Sequence, residues 1–238
     1  MLVATANTMV MIDCGFSLRE TVRRLARLNV MPEQLNAILV THEHTDHSSG
    51  VSKLSRKYQI PVYLTHGTYS SGRCDDCHDP RHINSADSFS VGNLEVQAVA
   101  VPHDAREPCQ YRLSHAGLSL GVLTDIGSIT AHVVDSFSDC DALVLECNHD
   151  LQMLMDGAYP ASLKSRVSGD WGHLNNTQAA ALLQQLGGTS IRHLAIAHIS
   201  EKNNSRGKTE QALQSVLPSL DHVVWAGQSD GFDWLVLD

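Results

Sequence analysis

Short apolar runs alternate with polar turns and with stretches of helical spacing along almost the whole chain. Residues 9–13 read as a buried strand, and the segment from the start to Asp13 as two short strands. Ser17 and Glu20 have capping-box spacing and open an amphipathic helix that runs to about Leu28. Residues 36–41 predict a strand, 50–58 a helix and 61–64 the next strand, whereas the polar stretch 70–87 predicts an exposed loop. The pattern then turns β-rich. Residues 87–90 and 94–101 flank Gly92-Asn93, and 111–114 and 118–123 flank Ala116-Gly117, two hairpin signals. Helices are predicted over 128–137, 150–156, 161–167, 177–186 (stopped by Gly187-Gly188) and 209–217. Strands are predicted over 142–146, 193–198, near Val223 and over 232–237. Strands and helices thus recur in two similar halves, a pattern that by itself establishes a mixed α/β protein and is consistent with two sheets between helices. No linker or repeat divides the 238 residues, so they read as a single domain.

Composition narrows this picture. No apolar run is long enough to cross a bilayer, and the apolar start lacks a basic leader and a small-residue cleavage site, so a cytoplasmic protein without a membrane partner is expected. The six cysteines are scattered and are expected as reduced thiols, with Cys14, Cys109, Cys140 and Cys147 in the core. The net charge of −9 argues against a surface that coats nucleic acid broadly, but not against a local phosphate site. Fourteen histidines are the more telling number, because they are not spread evenly.

His42-Glu43-His44-Thr45-Asp46-His47 follows the apolar run Ile38-Leu39-Val40-Thr41 directly. Histidine and aspartate bind borderline divalent metals. On extended backbone His42 and His44 project to one side, while Asp46 and His47, where the chain turns, can face a second ion. A polar loop with chance histidines would not produce this spacing at the end of a buried strand.

On this motif the chain resembles the metallo-β-lactamase-fold hydrolases across nearly all of its length, which implies the four-layered αββα sandwich of that fold. The family's further ligands have matching positions in Val101-Pro102-His103-Asp104, in Leu123-Thr124-Asp125-Ile126 and in Ala195-Ile196-Ala197-His198. The resemblance implies that His42, His44 and His103 hold one ion, Asp46, His47 and His198 the other, and that Asp125 bridges. Two divalent cofactor ions, zinc or manganese, would then activate a bridging hydroxide for hydrolysis, with Asp46 counted among the catalytic residues.

Other stretches select a branch. Flavodiiron redox proteins carry Glu where His44 stands, and β-CASP nucleases insert a domain between the aspartate and the last histidine. Leu143-Val144-Leu145-Glu146-Cys147-Asn148-His149-Asp150 and Trp171-Gly172-His173-Leu174-Asn175-Asn176 look like the YycJ/WalJ-like metallo-hydrolases, as does Pro102-His103-Asp104-Ala105. That resemblance implies an exonuclease acting on DNA. Glu146 and His173 resemble the ribonuclease Z dyad that protonates the leaving oxygen; a buried Glu can hold an imidazole in one tautomer and favour its cation. The family begins with an extra strand and a Gly/Ser-rich turn, and this chain starts at about the following strand, so an N-terminal strand is expected to be missing.

Substrate contacts are expected from Asn148, His149, Lys164, Lys202 and Asn203, with Arg166, Asn204, Ser205, Arg206 and Lys208 as further phosphate candidates. Cys74, Cys77 and His78 have the spacing of a partial zinc knuckle, and a small extra zinc site there competes with a plain solvated loop. Two other function classes compete with the phosphodiesterase. A thioester hydrolase of the glyoxalase II type shares the ligands but has little use for Glu146 and His173, since a thiolate leaves without acid help. A non-catalytic metal-binding module is disfavoured by the full ligand set.

Overall fold

The structure is a computed structural model that describes residues 1–188 and 190–238. Its contacts gather into two compact units, Met1–Ala100 with Ala105–His115, and Val101–Asp104 with Ala116–Asp238.

In the first unit, β1 (Leu2–Ala4) and β2 (Met9–Ile12) form an antiparallel pair. Helix α1 (Leu18–Arg27) follows, capped by Ser17, whose hydroxyl accepts from the Glu20 amide. Only half of the expected capping box forms, because the Glu20 carboxylate turns to Arg23 and Arg24. Then come β3 (Ala37–Leu39), the short α2 (Thr45–Ser48), α3 (Val51–Tyr58), β4 (Val62–Thr65), α4 (His66–Ser70) and β5 (Pro80–Ile83). The sheet order is β1-β2-β3-β4-β5, and from β2 onward the neighbours are parallel. Its core is aliphatic, with Ile38, Val40, Val51, Leu54, Val62 and Leu64 buried together. Strand β5 corrects the expectation of a plain loop over 70–87. It is an edge strand with Ile83 as its buried residue, so it leaves almost no apolar signature. Three antiparallel strands complete this unit: β6 (Ser88–Val91), β7 (Leu94–Ala100) and β8 (Cys109–His115).

The second unit alternates strand and helix: β9 (Leu118–Leu123), α5 (Ala131–Phe137), β10 (Ala142–Glu146), α6 (Leu151–Asp156), α7 (Ala161–Val167), α8 (Asn176–Gln185), β11 (His193–Ala197), α9 (Arg206–Leu213) and β12 (Val223–Trp225). The strands are parallel in the order β9-β10-β11-β12. Their apolar residues need no alternation because both faces are covered, and all five residues of β10 are buried. The strand expected over 232–237 does not form. Most of that run is exposed, Val236 at 76%, so its apolar side chains gain no burial there. Among the described residues, no helix is long and apolar enough to cross a membrane.

Parallel strands bring their carboxyl ends to one edge, which is where α/β proteins place chemistry. In the first unit that edge carries Asp13, one residue past β2, and the 42–47 motif just past β3. In the second it carries Asp125 past β9, Glu146 as the last residue of β10 and His198 past β11.

Candidate active site

The histidines of the first unit are gathered by a single carboxylate. Asp13 accepts from the Thr41 amide at 2.8 Å and from the Thr41 hydroxyl at 2.7 Å. That hydroxyl has spent its proton, so it accepts from Nδ1 of His42 at 2.9 Å. Asp13 also accepts from Nδ1 of His47 at 2.8 Å. Both imidazoles therefore carry the proton on Nδ1 and the lone pair on Nε2, the arrangement metal-ligating histidines adopt. The rings of His44 and His47 lie 4.6 and 4.2 Å from that of His42. Asp46 stays exposed, its carboxylate 3.5 Å from Nε2 of His47. Sequence reasoning missed Asp13; the available signal was a carboxylate closing an otherwise apolar strand.

Glu146 organises the second unit. It is fully buried and accepts five hydrogen bonds: from the amides of Asp125, Ile126 and Leu174 at 3.2, 3.0 and 3.0 Å, and from Nδ1 of His173 and His198 at 3.2 and 3.1 Å. Burial pushes its carboxyl up, but the two imidazole bonds more than reverse this and hold it well below the usual carboxylate range. His173 is pulled down by burial, and its bond to Glu146 outweighs that and raises it. The expected pairing of Glu146 with His173 is thus present, and His198 shares the same carboxylate oxygen. His103 donates from Nδ1 to the Gly172 carbonyl at 3.0 Å, and burial lowers its pKa. Ligand atoms of Asp125, His173 and His198 lie within 4.8 Å of one another.

Asp13, Asp125 and His198 have φ of 57°, 56° and 53°. Such left-handed backbone costs a non-glycine residue roughly 1–3 kcal/mol and persists where the surroundings dictate it. Here each residue bends out of a parallel strand at the carboxyl edge of its own unit.

The donors that each unit presents are of the kind a divalent ion takes. His42, His47, His103 and His198 each have Nδ1 committed to an oxygen acceptor, which leaves the lone pair on Nε2, and carboxylates stand beside them.

The other expected residues are placed as follows. Asn148 and Asn203 are buried; Asn148 donates to the His198 carbonyl at 3.4 Å, and the Asn203 carbonyl accepts from the Asp150 amide at 2.9 Å. His149 is fully buried, with no hydrogen-bond partner for either ring nitrogen among the described residues. Lys164 reaches the Met155 carbonyl, and Lys202 lies 5.9 Å above the Tyr159 ring. Asn204 pairs amide to amide with Asn176, at 2.9 Å in both directions, and so fastens the start of α8. Cys74 packs into the aliphatic core of the first unit, and burial raises its thiol to about 12. Among the described residues, no group of three close metal donors includes Cys74, Cys77 or His78.

Residues 8–199 match the family described as the Beta-lactamase superfamily domain. The chain belongs to this family: it is a metal-dependent hydrolase with the metallo-β-lactamase fold. It is 30% identical over 225 residues to the exodeoxyribonuclease WalJ of Streptococcus pneumoniae serotype 2 (strain D39), covering 91% of this chain and 83% of that protein. It is 33% identical over 223 residues to the exodeoxyribonuclease YycJ of Bacillus anthracis, covering 90% and 83%. Within the family the chain is therefore YycJ/WalJ-like. Among solved structures, the metallo-β-lactamase-fold protein YhfI of Bacillus subtilis has a similar fold, with a TM-score of 0.74 at 16% identity over 98% of this chain and 90% of that one.

Proposed function

We propose that this chain is a nuclease that removes nucleotides from DNA, with His173 as the general acid for the leaving oxygen. The carrying observation is the buried Glu146 carboxylate on Nδ1 of His173. With that bond made, the other ring nitrogen of His173 can hold a proton, and the raised pKa favours its doing so. A sugar alkoxide is a poor leaving group that needs such a proton, whereas a thiolate does not. The exodeoxyribonuclease relatives support the same substrate class.

We assign His42, His44 and His103 to one ion, Asp46, His47 and His198 to the other, and Asp125 to both. The assignment follows the order of the family's motifs. Bound there, divalent ions would make water nucleophilic near neutral pH and offset phosphate charge. Asp13 and Glu146 act through the imidazoles they orient. Asn148, Lys164, Lys202 and Asn203 are assigned to substrate contact, whereas the fully buried His149 side chain is not placed to touch substrate.

The test uses purified protein loaded with manganese or zinc. End-labelled DNA should be cleaved much faster than a thioester; the reverse order would establish the glyoxalase-type reading instead. Metal analysis should find two ions per chain. His173→Ala should keep both ions and lose roughly 10²–10⁴-fold in rate on DNA. Most of that loss should vanish on a p-nitrophenyl phosphodiester, whose leaving group needs no proton. His198→Ala should instead lose metal. If His173→Ala loses metal too, His173 is a ligand and the acid lies elsewhere.

A further inference from the structure

Trp171 is the most exposed of the three tryptophans, at 63%. It stands two residues before His173, and the backbone of the residues that follow it is held within the second unit. The Gly172 amide donates to the Gly169 carbonyl at 2.8 Å, and the His173 amide to the Val167 carbonyl at 2.9 Å. The Gly172 carbonyl accepts a hydrogen bond from His103 Nδ1. A Cβ on Gly172 would lie 2.2 Å from the Arg166 carbonyl oxygen, and one on Gly127 would lie 2.3 Å from that of Asp170. The loop is thus pressed against the end of α7 on one side and against the 125–127 turn on the other, and only glycine allows either approach.

A large apolar ring held in water on an immobilised loop is suited to a planar, apolar-faced ligand. An indole offers a π face on which any base stacks, without a demand for sequence. The proposed acid His173 lies two residues on, and the Gly172 carbonyl between them accepts from the His103 ring, so the loop that carries Trp171 borders the site.

We propose that Trp171 is a stacking platform for an unpaired base of a single-stranded DNA end, on the leaving-group side of His173. This rests on the nuclease reading above. Trp171 binds and positions; it moves no proton.

The test compares wild type, Trp171→Phe and Trp171→Ala, all metal-loaded, on an end-labelled single-stranded oligonucleotide and on the same oligonucleotide made abasic at its terminal position. Trp171→Ala should raise KM roughly 5- to 100-fold, with a smaller effect on kcat, and Trp171→Phe should recover most of it. Wild type should lose a similar factor on the abasic substrate, while Trp171→Ala should treat the two substrates alike. With calcium in place of the activating metal to block turnover, oligo-dT should quench the tryptophan fluorescence of wild type but not of Trp171→Phe, a readout independent of turnover. If wild type cleaves DNA yet ignores the missing base, and its fluorescence does not respond, Trp171 has no such role and the nuclease reading stands. If wild type prefers a thioester to DNA, that reading falls and takes this one with it. A self-association that disappears in Trp171→Phe, with KM unchanged, would assign the ring to a second copy and overturn the proposal. Should Trp171→Ala fail to fold, the abasic comparison in wild type and the Trp171→Phe fluorescence still decide.

Discussion

His149 shows at a single residue how burial without a partner becomes a measurable property. Its imidazole is fully buried, and burial pushes its pKa down to about 4. An unfolded histidine titrates near 6.5, so between pH ~6.5 and ~4 the unfolded chain binds a proton that the native chain refuses. Stability is therefore lost as pH falls through that window. The contribution is on the order of 3 kcal/mol when the loss is complete, below pH ~4. His149→Leu should be close to neutral in stability at pH 7, because the group removed made no hydrogen bond. In urea unfolding of EDTA-treated protein, the wild type should lose about 2–3 kcal/mol more than the variant between pH 7 and 4.5. Equal acid sensitivity of the two proteins would show that His149 is not the group responsible. Residues of this kind are half legible in the sequence. His42, His44, Asp46 and His47 announce themselves by spacing beside an apolar run. Asp13 and the second role of Glu146, orienting His198 as well as His173, depend on which strands become neighbours, and local pattern does not encode that.

At the scale of elements, the strands that mattered were readable because both of their faces are buried, as β3 and β10 show with continuous apolar runs. Strand β5 was not readable, since an edge strand with exposed Arg81 and His82 looks like a loop. The start of α9 at Arg206 rather than 209 was hidden too, because its cap is Ser205 and no apolar period marks its first turn. Connections between elements carry constraints of their own. A Cβ on Gly15, in the turn from β2 to α1, would lie 1.6 Å from the Asp46 carbonyl oxygen and 2.2 Å from its carbonyl carbon. These are backbone atoms of α2, the helix that bears Asp46 and His47, so they cannot step aside as a flexible side chain would. Gly15→Ala should therefore push α2 away from the end of β2, where Asp13 holds His47. Metal content should drop by about one ion per chain in a protein whose circular dichroism stays native. A variant that binds the full complement of metal would show that this contact does not set the position of α2.

For the whole molecule, charge is the property that restricts how DNA could be held. The chain carries 17 lysines and arginines against 26 aspartates and glutamates. Several of the cations are already engaged, since Arg23 and Arg24 meet Glu20, Arg81 meets Asp79, Arg166 meets Asp104, Arg192 meets Asp141 and Arg206 meets Glu210. Acidic side chains outnumber the cations, which disfavours an extended basic track along a phosphate backbone. A proposed nuclease of this charge must hold its substrate through contacts close to the cut, namely the metal centre, a small number of lysines and the stacked base. Each phosphate neutralised on single-stranded DNA contributes about −0.7 to the slope of log affinity against log salt. With roughly two or three such contacts, a rise from 50 to 200 mM salt should weaken binding by about 10-fold. A protein that tracks six to ten phosphates would lose roughly 10³–10⁵-fold on duplex DNA over the same range. Fluorescence anisotropy of a labelled single strand, titrated in calcium to block turnover, measures the slope directly. A slope of −5 or steeper would mean that an extended basic track exists on this acidic protein after all, and the local mode of binding argued here would have to be abandoned.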